Sequence, residues 1–405
     1  MPYRDLDFTL TDEEKSIRDT IRKFGAEVMR PAGIELDKLA DPADVIAEGS
    51  VLWDVFKKYR ELDFHKRNLP KAVGGMAEEV SPMASFLIGE EMGYADAGLA
   101  ISLGVSSMPF AYCALSPDPE LKSWAMDFAE DYDCKMIGCW AITEPDHGGD
   151  WSLGGDDPKC GPSVKAVLKG DEYIINGQKA AWVSNGTIAT HAVLHVSLDP
   201  SRGMYGQGIA IIRLDLPGIS KGAPLNKIGQ RALNQGEIFF EEVKIPKNWM
   251  VLTPDPARPR VEGALSGPNG SMAVVFGGLA KAAFDEAQQY SKERIQGGKP
   301  ICEHQNIQLK LFKMFKMVES ARALSRRMAM YNANNMPPSD AHAVASKWMS
   351  TETAFRVASE AIQIFGGNGL SKEYVIEKIF RDARAAMIED GVNETLALSA
   401  MEYLM

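Results

Sequence analysis

The sequence predicts an α+β fold in three parts: an N-terminal α-helical domain (residues 1–135), a middle antiparallel β-domain (136–255) and a C-terminal four-helix bundle (256–405). Three observations predict it. Apolar residues recur at helical spacing up to about Phe128, and again in long stretches beyond Pro268. Between them, short apolar runs alternate with Gly, Pro and Asn-Gly turn signals, with no helical stretch intervening. The 405 residues, 45% hydrophobic, suffice to bury a large core in two or three layers.

Taken in order, Thr11-Asp-Glu-Glu14 has the form of a capping box, and Ile17, Ile21, Phe24 and Val28 mark one apolar face. Helices are expected over Val51–Tyr59 and Ser81–Ala95, separated by a turn at Leu69–Gly75. Ile101–Ala114 is small and apolar, as suits a buried segment. Met136–Thr143 ends in the polar turn Glu144–Asp150. Strands are expected at Ser163–Lys169, Glu172–Ile175, Ala181–Ser184, His191–Ser197, Ile209–Leu214 and Glu237–Val243, with turns at Asn176-Gly177 and Pro217-Gly218. Pro254–Pro268 has the composition of a linker. Four long helices follow: Ser271–Arg294, Glu303–Asn332, Ser339–Phe365 and Tyr374–Ile388, rich in Met and long enough to serve two partners.

Composition narrows the function classes. A net charge of −11 argues against a nucleic-acid binder resting on phosphate contacts. Five scattered Cys include neither a CxxC pair nor a zinc knuckle, the N-terminus lacks a signal sequence, and no apolar run is expected to span a membrane. A reduced, cytoplasmic setting is expected. His191 and His195 form the one HxxxH, in a strand where that spacing makes no ligand face, so no metal site is expected. The chain has no P-loop, no nucleophile elbow and no GxGxxG opening a helix. Two glycine turns remain: His147-Gly148-Gly149-Asp150 after an apolar strand, and Gln363-Ile-Phe-Gly366-Gly367-Asn-Gly369 closing a long helix. Each suits helix or turn capping, and each also suits a phosphate or a ring edge. Trp140 and Trp182 fit a core, or the wall of a planar cofactor. The acidic pair Glu389–Asp390 before Gly391 fits a solvated turn, or a carboxylate at the mouth of a cavity.

Several of these stretches together resemble one family, the FAD-dependent acyl-CoA dehydrogenases, over nearly the whole chain. Ala141–Asp150 is similar to its Thr-Glu-Pro signature and Lys179-Ala-Ala-Trp-Val-Ser184 to its Lys-x-Trp-Ile-Thr strand. Lys227-Ile-Gly-Gln-Arg231, Tyr290–Arg294, His304-Gln305, Ile364–Gly369 and Arg381-Asp382-Ala383 match in order and spacing, with no gap into Asp390. The resemblance implies an FAD enzyme that takes a proton from the carbon beside an acyl-CoA thioester and passes a hydride from the next carbon to flavin N5. Asp390 would be the base. Trp140, Ile142, Thr143, Trp182 and Ser184 would contact the flavin ring, with Gly148, Gly149, Val392 and Glu394 also on the cofactor side. Arg294, His304, Gln305, Gln363, Gly366 and Gly367 would hold its pyrophosphate and adenosine, partly across a subunit boundary. A homotetramer and an electron-transfer flavoprotein as acceptor are implied with it. Ile101, Gly104, Glu389 and Gly391 would line the acyl site.

Departures from the pattern carry as much information. The family base is most often a Glu in Tyr-Glu-Gly-Thr, and here the run is Glu389-Asp390-Gly391-Val392. The base is thus one methylene shorter, and a carboxylate replaces the Tyr lining the acyl site. Glu389 either raises the pKa of Asp390 as a like-charge neighbour or points to solvent. No carboxylate stands at Pro268 or Asn269, where some relatives carry the base. Gly104 stands where some straight-chain enzymes have Glu, leaving room for a longer, branched or cyclic acyl group. Nitroalkane oxidases resemble the same family and use an Asp at this position, but pair it with an Arg seven residues on, where this chain has Ala397. A non-catalytic flavin-binding protein is the remaining alternative.

Overall fold

The computed structural model describes residues 6, 9–153, 155–254 and 266–405; most of the linker stretch lies outside the described residues. The N-terminal part holds α1 (Asp12–Phe24), α2 (Arg30–Lys38), α3 (Pro42–Val45), α4 (Val51–Glu61), α5 (Pro82–Ala95), α6 (Ala97–Val105), α7 (Met108–Leu115) and α8 (Pro119–Ala129). The capping box is formed: Thr11 Oγ1 accepts from the Glu14 N–H and the Thr11 N–H donates to Glu14 Oε2. A π-turn at Gly25–Met29 carries α1 into α2. The apolar stretch Ala97–Leu115 is, at 19 residues and mean hydropathy 1.5, long enough to cross a bilayer, contrary to the sequence reading. It breaks into two helices at Ser106–Ser107, and Leu99, Leu103 and Phe110 are buried in the protein's own cores.

The middle part holds β1 (Gly138–Ala141), the short helix α9 (Asp150–Leu153), β2 (Lys165–Lys169), β3 (Glu172–Lys179), β4 (His191–Ser197), β5 (Gln207–Arg213), β6 (Ile219–Lys221), β7 (Ile238–Pro246) and β8 (Met250–Leu252). The strand order is β6-β7-β3-β2-β4-β5-β8, with β1 on β4. The sheet is mixed and not antiparallel as expected, because β1 and β2 both meet β4 in parallel. Asn176-Gly177 is not a turn but a β-bulge inside β3, where the Asn176 side chain exchanges two hydrogen bonds with Glu242 of β7. The hairpin turn is Gly170-Asp171. Residues 181–184 are not a strand; only Ser184 pairs, in an isolated bridge with Gln235.

The C-terminal part holds α10 (Ser266–Glu293), the two-residue strands β9 (Ile295–Gln296) and β10 (Lys299–Pro300), α11 (Gln305–Asn334), α12 (Asp340–Phe365), α13 (Val375–Ala386) and α14 (Asn393–Met401). Pro268 therefore sits in the first turn of a helix, where its missing N–H costs nothing. One core runs from α1, α4 and α5 into α10, α12 and α13. The helices α5 and α10 cross at backbone contact: a Cβ on Gly93 would meet Val275 O at 2.0 Å, and one on Gly278 would meet Glu90 O at 2.0 Å. Beside the crossing, the buried Arg322 of α11 grips Glu90 of α5.

Candidate active site

The amphipathic helix α13 buries Ile376, Ile379, Ala383 and Ala386 and ends in a turn that places Asp390 at φ +50° and Gly391 at φ +97°. Two anchors hold this turn. The fully buried Lys347 of α12 donates from Nζ to Gly391 O at 2.5 Å, and Asn393 Nδ2 donates to Thr351 Oγ1 at 3.1 Å.

A third anchor comes from the loop at Lys227–Arg231. It docks on α13 because Gly229 lacks a side chain: a Cβ there would lie 2.4 Å from the Arg381 carbonyl. Gln230, at φ +50°, then reaches α13 twice and the turn after it once. Its N–H bonds Asp382 Oδ1, and its Nε2 donates to Asp382 O at 3.3 Å and to Glu389 Oε2 at 2.8 Å. Asp382 shares the buried Lys378 with Asp96 at the start of α6, at 2.6 Å each. All three parts of the chain therefore meet at the Asp390 turn.

Asp390 has no hydrogen bond or ion pair among the described residues. Its side chain is solvent-exposed on the turn. Desolvation by the surrounding protein pushes its carboxyl above the usual range, opposed by the charge of Lys347. Glu389 is half-buried and hydrogen-bonded, so it does not simply point to solvent. Burial pushes it up to about 7, against the pull of Lys227 and the Gln230 hydrogen bond, with Asp390 adding a smaller push. Burial likewise lowers Lys347 and Lys227 to about 8. Of the expected acyl-site residues, Ile101 is half-buried on α6, and Gly104 has no atom within 4 Å of where a Cβ would stand.

The residues expected at the flavin ring cluster at one edge of the sheet. Thr143 O accepts from the Ala180 N–H at 2.9 Å, and Ile142 O accepts from Lys179 Nζ at 2.9 Å. Lys179 is fully buried with Glu144, Nζ to Oε1 2.7 Å. Trp140 Nε1 donates to His195 Nε2 at 2.9 Å, and Gln235 Nε2 donates to Trp182 O and Ser184 Oγ. The two histidines of the HxxxH lie among aromatic rings, His191 edge-on to Phe110 and Trp124, and His195 edge-on to Trp151. Trp182 is 59% exposed, an unusual placing for a Trp whose backbone is so firmly held. Gly148 leaves open space on its turn, and a Cβ on Gly149 would stand 3.9 Å from Cγ2 of Thr395 on α14, the residue after Glu394. An open aromatic face beside uncrowded backbone suits a planar ring bearing phosphates, so these residues fit a flavin.

Arg294, His304, Gln305, Gln363, Gly366 and Gly367 form a separate group. His304 is tied to the β9–β10 hairpin through Nε2 and Gln296 O at 2.9 Å. Tyr290 stacks on Phe365 with ring centres 3.9 Å apart, joining α10 to the Gln363–Gly369 turn. Gln363, Gly366 and Gly367 are exposed. Within one chain this group lies ~24 Å along α12 from Lys347, and the structure does not bring it to the Asp390 turn. Sequence reasoning missed Gln230 and Lys347. The left-handed backbone at Gln230 has no sequence signature, and Lys347 looks like any lysine on a long helix.

Comparison with known proteins agrees with this architecture. The acyl-CoA dehydrogenase N-terminal, middle and C-terminal domain models match residues 11–123, 139–243 and 261–405. The chain is 30% identical to a probable acyl-CoA dehydrogenase, YngJ, of Bacillus subtilis, over 99% of this chain and 100% of that one. It is 29% identical to a cyclohex-1-ene-1-carbonyl-CoA dehydrogenase of Geobacter metallireducens, over 95% and 96%. The structure of butyryl-CoA dehydrogenase from Megasphaera elsdenii superposes with a TM-score of 0.85 at 27% identity, covering 98% of this chain and 100% of that one. Three matched domains in order, on a helix–sheet–helix frame, make this chain an oxidoreductase of the acyl-CoA dehydrogenase family.

Proposed function

We propose that the chain catalyses FAD-dependent α,β-dehydrogenation of an acyl-CoA thioester with a branched, cyclic or otherwise bulky acyl group, with Asp390 as the proton-abstracting base. The observation that carries the reading is a carboxylate without a hydrogen bond or ion pair among the described residues, exposed on a strained turn. Bound FAD would supply the hydride acceptor at N5. A thioester Cα–H is a weak acid, so a base whose pKa is raised is favoured, and the upward direction of the Asp390 shift supports that role. The charge of Lys347 opposes that rise, and its hydrogen bond to Gly391 O fixes the turn. The Gly391 backbone and Glu389 would border the acyl group, with Ile101 and the open space at Gly104 receiving its far end. The cyclohexenecarbonyl-CoA relative supports a cyclic acyl group.

The ring would rest against Trp140, Ile142, Thr143, Trp182 and Ser184, with Gly148, Gly149, Val392 and Glu394 beside it. Arg294, His304, Gln305, Gln363, Gly366 and Gly367 would serve the pyrophosphate and adenosine bound to a neighbouring subunit, which their distance from Lys347 supports. The apolar side chains Leu309 and Phe312, 56% and 64% exposed on α11, support a homotetramer packed through the C-terminal helices. An electron-transfer flavoprotein would reoxidise the enzyme in the cytoplasm. Ala397 gives the base no cationic partner, so nothing favours the nitroalkane-oxidase chemistry.

Asp390→Asn tests the reading. It should retain FAD while lowering Cα–H exchange in deuterated water and anaerobic flavin reduction by about 10²–10⁴-fold, the range a positioned general base contributes. Full reduction in the variant would remove Asp390 from the reaction.

A further inference from the structure

The carboxylate next to the base is built into the site with more care than a bystander needs. Gln230 is clamped by its two bonds to Asp382 and lies under α6, where a Cβ on Gly98 would stand 3.3 Å from Gln230 Cα. Its amide is thereby aimed at Glu389 Oε2. The other oxygen, Oε1, has no hydrogen-bond partner among the described residues and keeps accessible surface. Both nearby lysines are committed elsewhere. Lys227 Nζ donates to Leu233 O and Gln235 Oε1 at 2.8 Å each, and Lys347 Nζ to Gly391 O. Glu389 thus presents one acceptor oxygen beside Asp390, one residue from the reacting centre.

An acyl group made only of hydrocarbon would strip the water from that oxygen and leave nothing in its place. Above pH 7, where Glu389 is ionised, an acyl group carrying a hydroxyl would replace the lost water bond with a charge-assisted one. Sites that hydrogen-bond a substrate hydroxyl discriminate strongly against analogues lacking it, because the site's own polar group is then stranded. An acyl tail ending in a carboxylate would meet repulsion from Glu389 and Asp390 together.

We propose that Glu389 is a specificity-determining residue that selects acyl-CoA substrates bearing a hydrogen-bond donor on the acyl group. The inference rests on the proposed dehydrogenation and refines its substrate class. The test compares matched pairs with the full-length FAD-loaded protein: cyclohexanecarbonyl-CoA with its ring-hydroxylated analogues, and butyryl-CoA with 4-hydroxybutyryl-CoA. Dissociation constants come from calorimetry and flavin reduction from anaerobic bleaching. The hydroxylated member of at least one pair should be favoured on the order of 10- to 100-fold, with glutaryl-CoA excluded. Glu389→Leu should reverse the preference, and the isosteric Glu389→Gln should narrow it. Equal handling of both members of every pair, or a preference unchanged in Glu389→Leu, overturns the inference. Bleaching by no acyl-CoA would instead defeat the proposed reaction, and the calorimetric comparison would still decide the role of Glu389.

Discussion

Replacing Glu389 by Gln should change how stability depends on pH, whatever the substrate. In the folded protein Glu389 is held at about 7, against an ordinary 4.5. Between those values the folded state binds a proton that the unfolded chain has released, so stability falls as pH rises from 4.5 through 7 and the loss is complete above it. At about 1.4 kcal/mol per pH unit the full difference bounds the loss at ~3.4 kcal/mol. Glu389 keeps some solvent contact, and screening reduces the expected loss to ~1–2 kcal/mol. Gln keeps the shape and accepts the same Gln230 hydrogen bond without titrating. Urea unfolding of both proteins from pH 5 to 8 measures the effect: the stability of the Gln variant relative to the parent should grow by ~1–2 kcal/mol across that range. A difference that stays flat, or one that shrinks as pH rises, would refute the assignment of a desolvated carboxyl to this position.

Two further replacements probe the frame around the site. Glu144→Ala removes the counter-charge of the buried Lys179 and the acceptor of the Ser163 and Val164 N–H groups. It should cost ~3–5 kcal/mol in chemical denaturation, and the paired change Glu144→Met with Lys179→Met should recover much of that loss. Gly278→Ala drives a methyl into Glu90 O across the α5–α10 crossing. Since the obstacle is backbone and no rotamer relieves it, a loss of ~3 kcal/mol is expected, read as a lowered midpoint; a neutral effect would mean that the two helices can separate freely.

The helix–sheet–helix order was legible because helical and strand periodicities are local. Thr11 and Glu14 specified the first helix start to the atom, and His191–Ser197 was a continuous apolar run that became a central strand. Asn176-Gly177 misled because the same dipeptide serves a hairpin turn and a bulge, and only pairing with β7 decides between them. The parallel contacts of β4 were illegible since strand direction depends on long-range order. The placing of Asp390 at the family's usual base position was readable from the spacing after Arg381-Asp382. Its surroundings were not: the clamp at Gln230 and the buried Lys347 arise from elements 40 to 160 residues away in the chain.

The docking of the Lys227–Arg231 loop onto α13 also bears on how such a protein can diverge. The turn carrying Asp390, the proposed base, is fixed by α12, α13 and that loop, whereas Gly104, proposed to receive the far end of the acyl group, belongs to α6. A larger side chain at position 104 would shorten the space without disturbing any group that fixes Asp390, so chain length can drift while the chemistry stands still. Glu389 has no such independence. Mounted on the reacting turn and gripped by the same Gln230 that ties the loop to Asp382, it links taste to mechanism, and a lineage that loses it must resettle both.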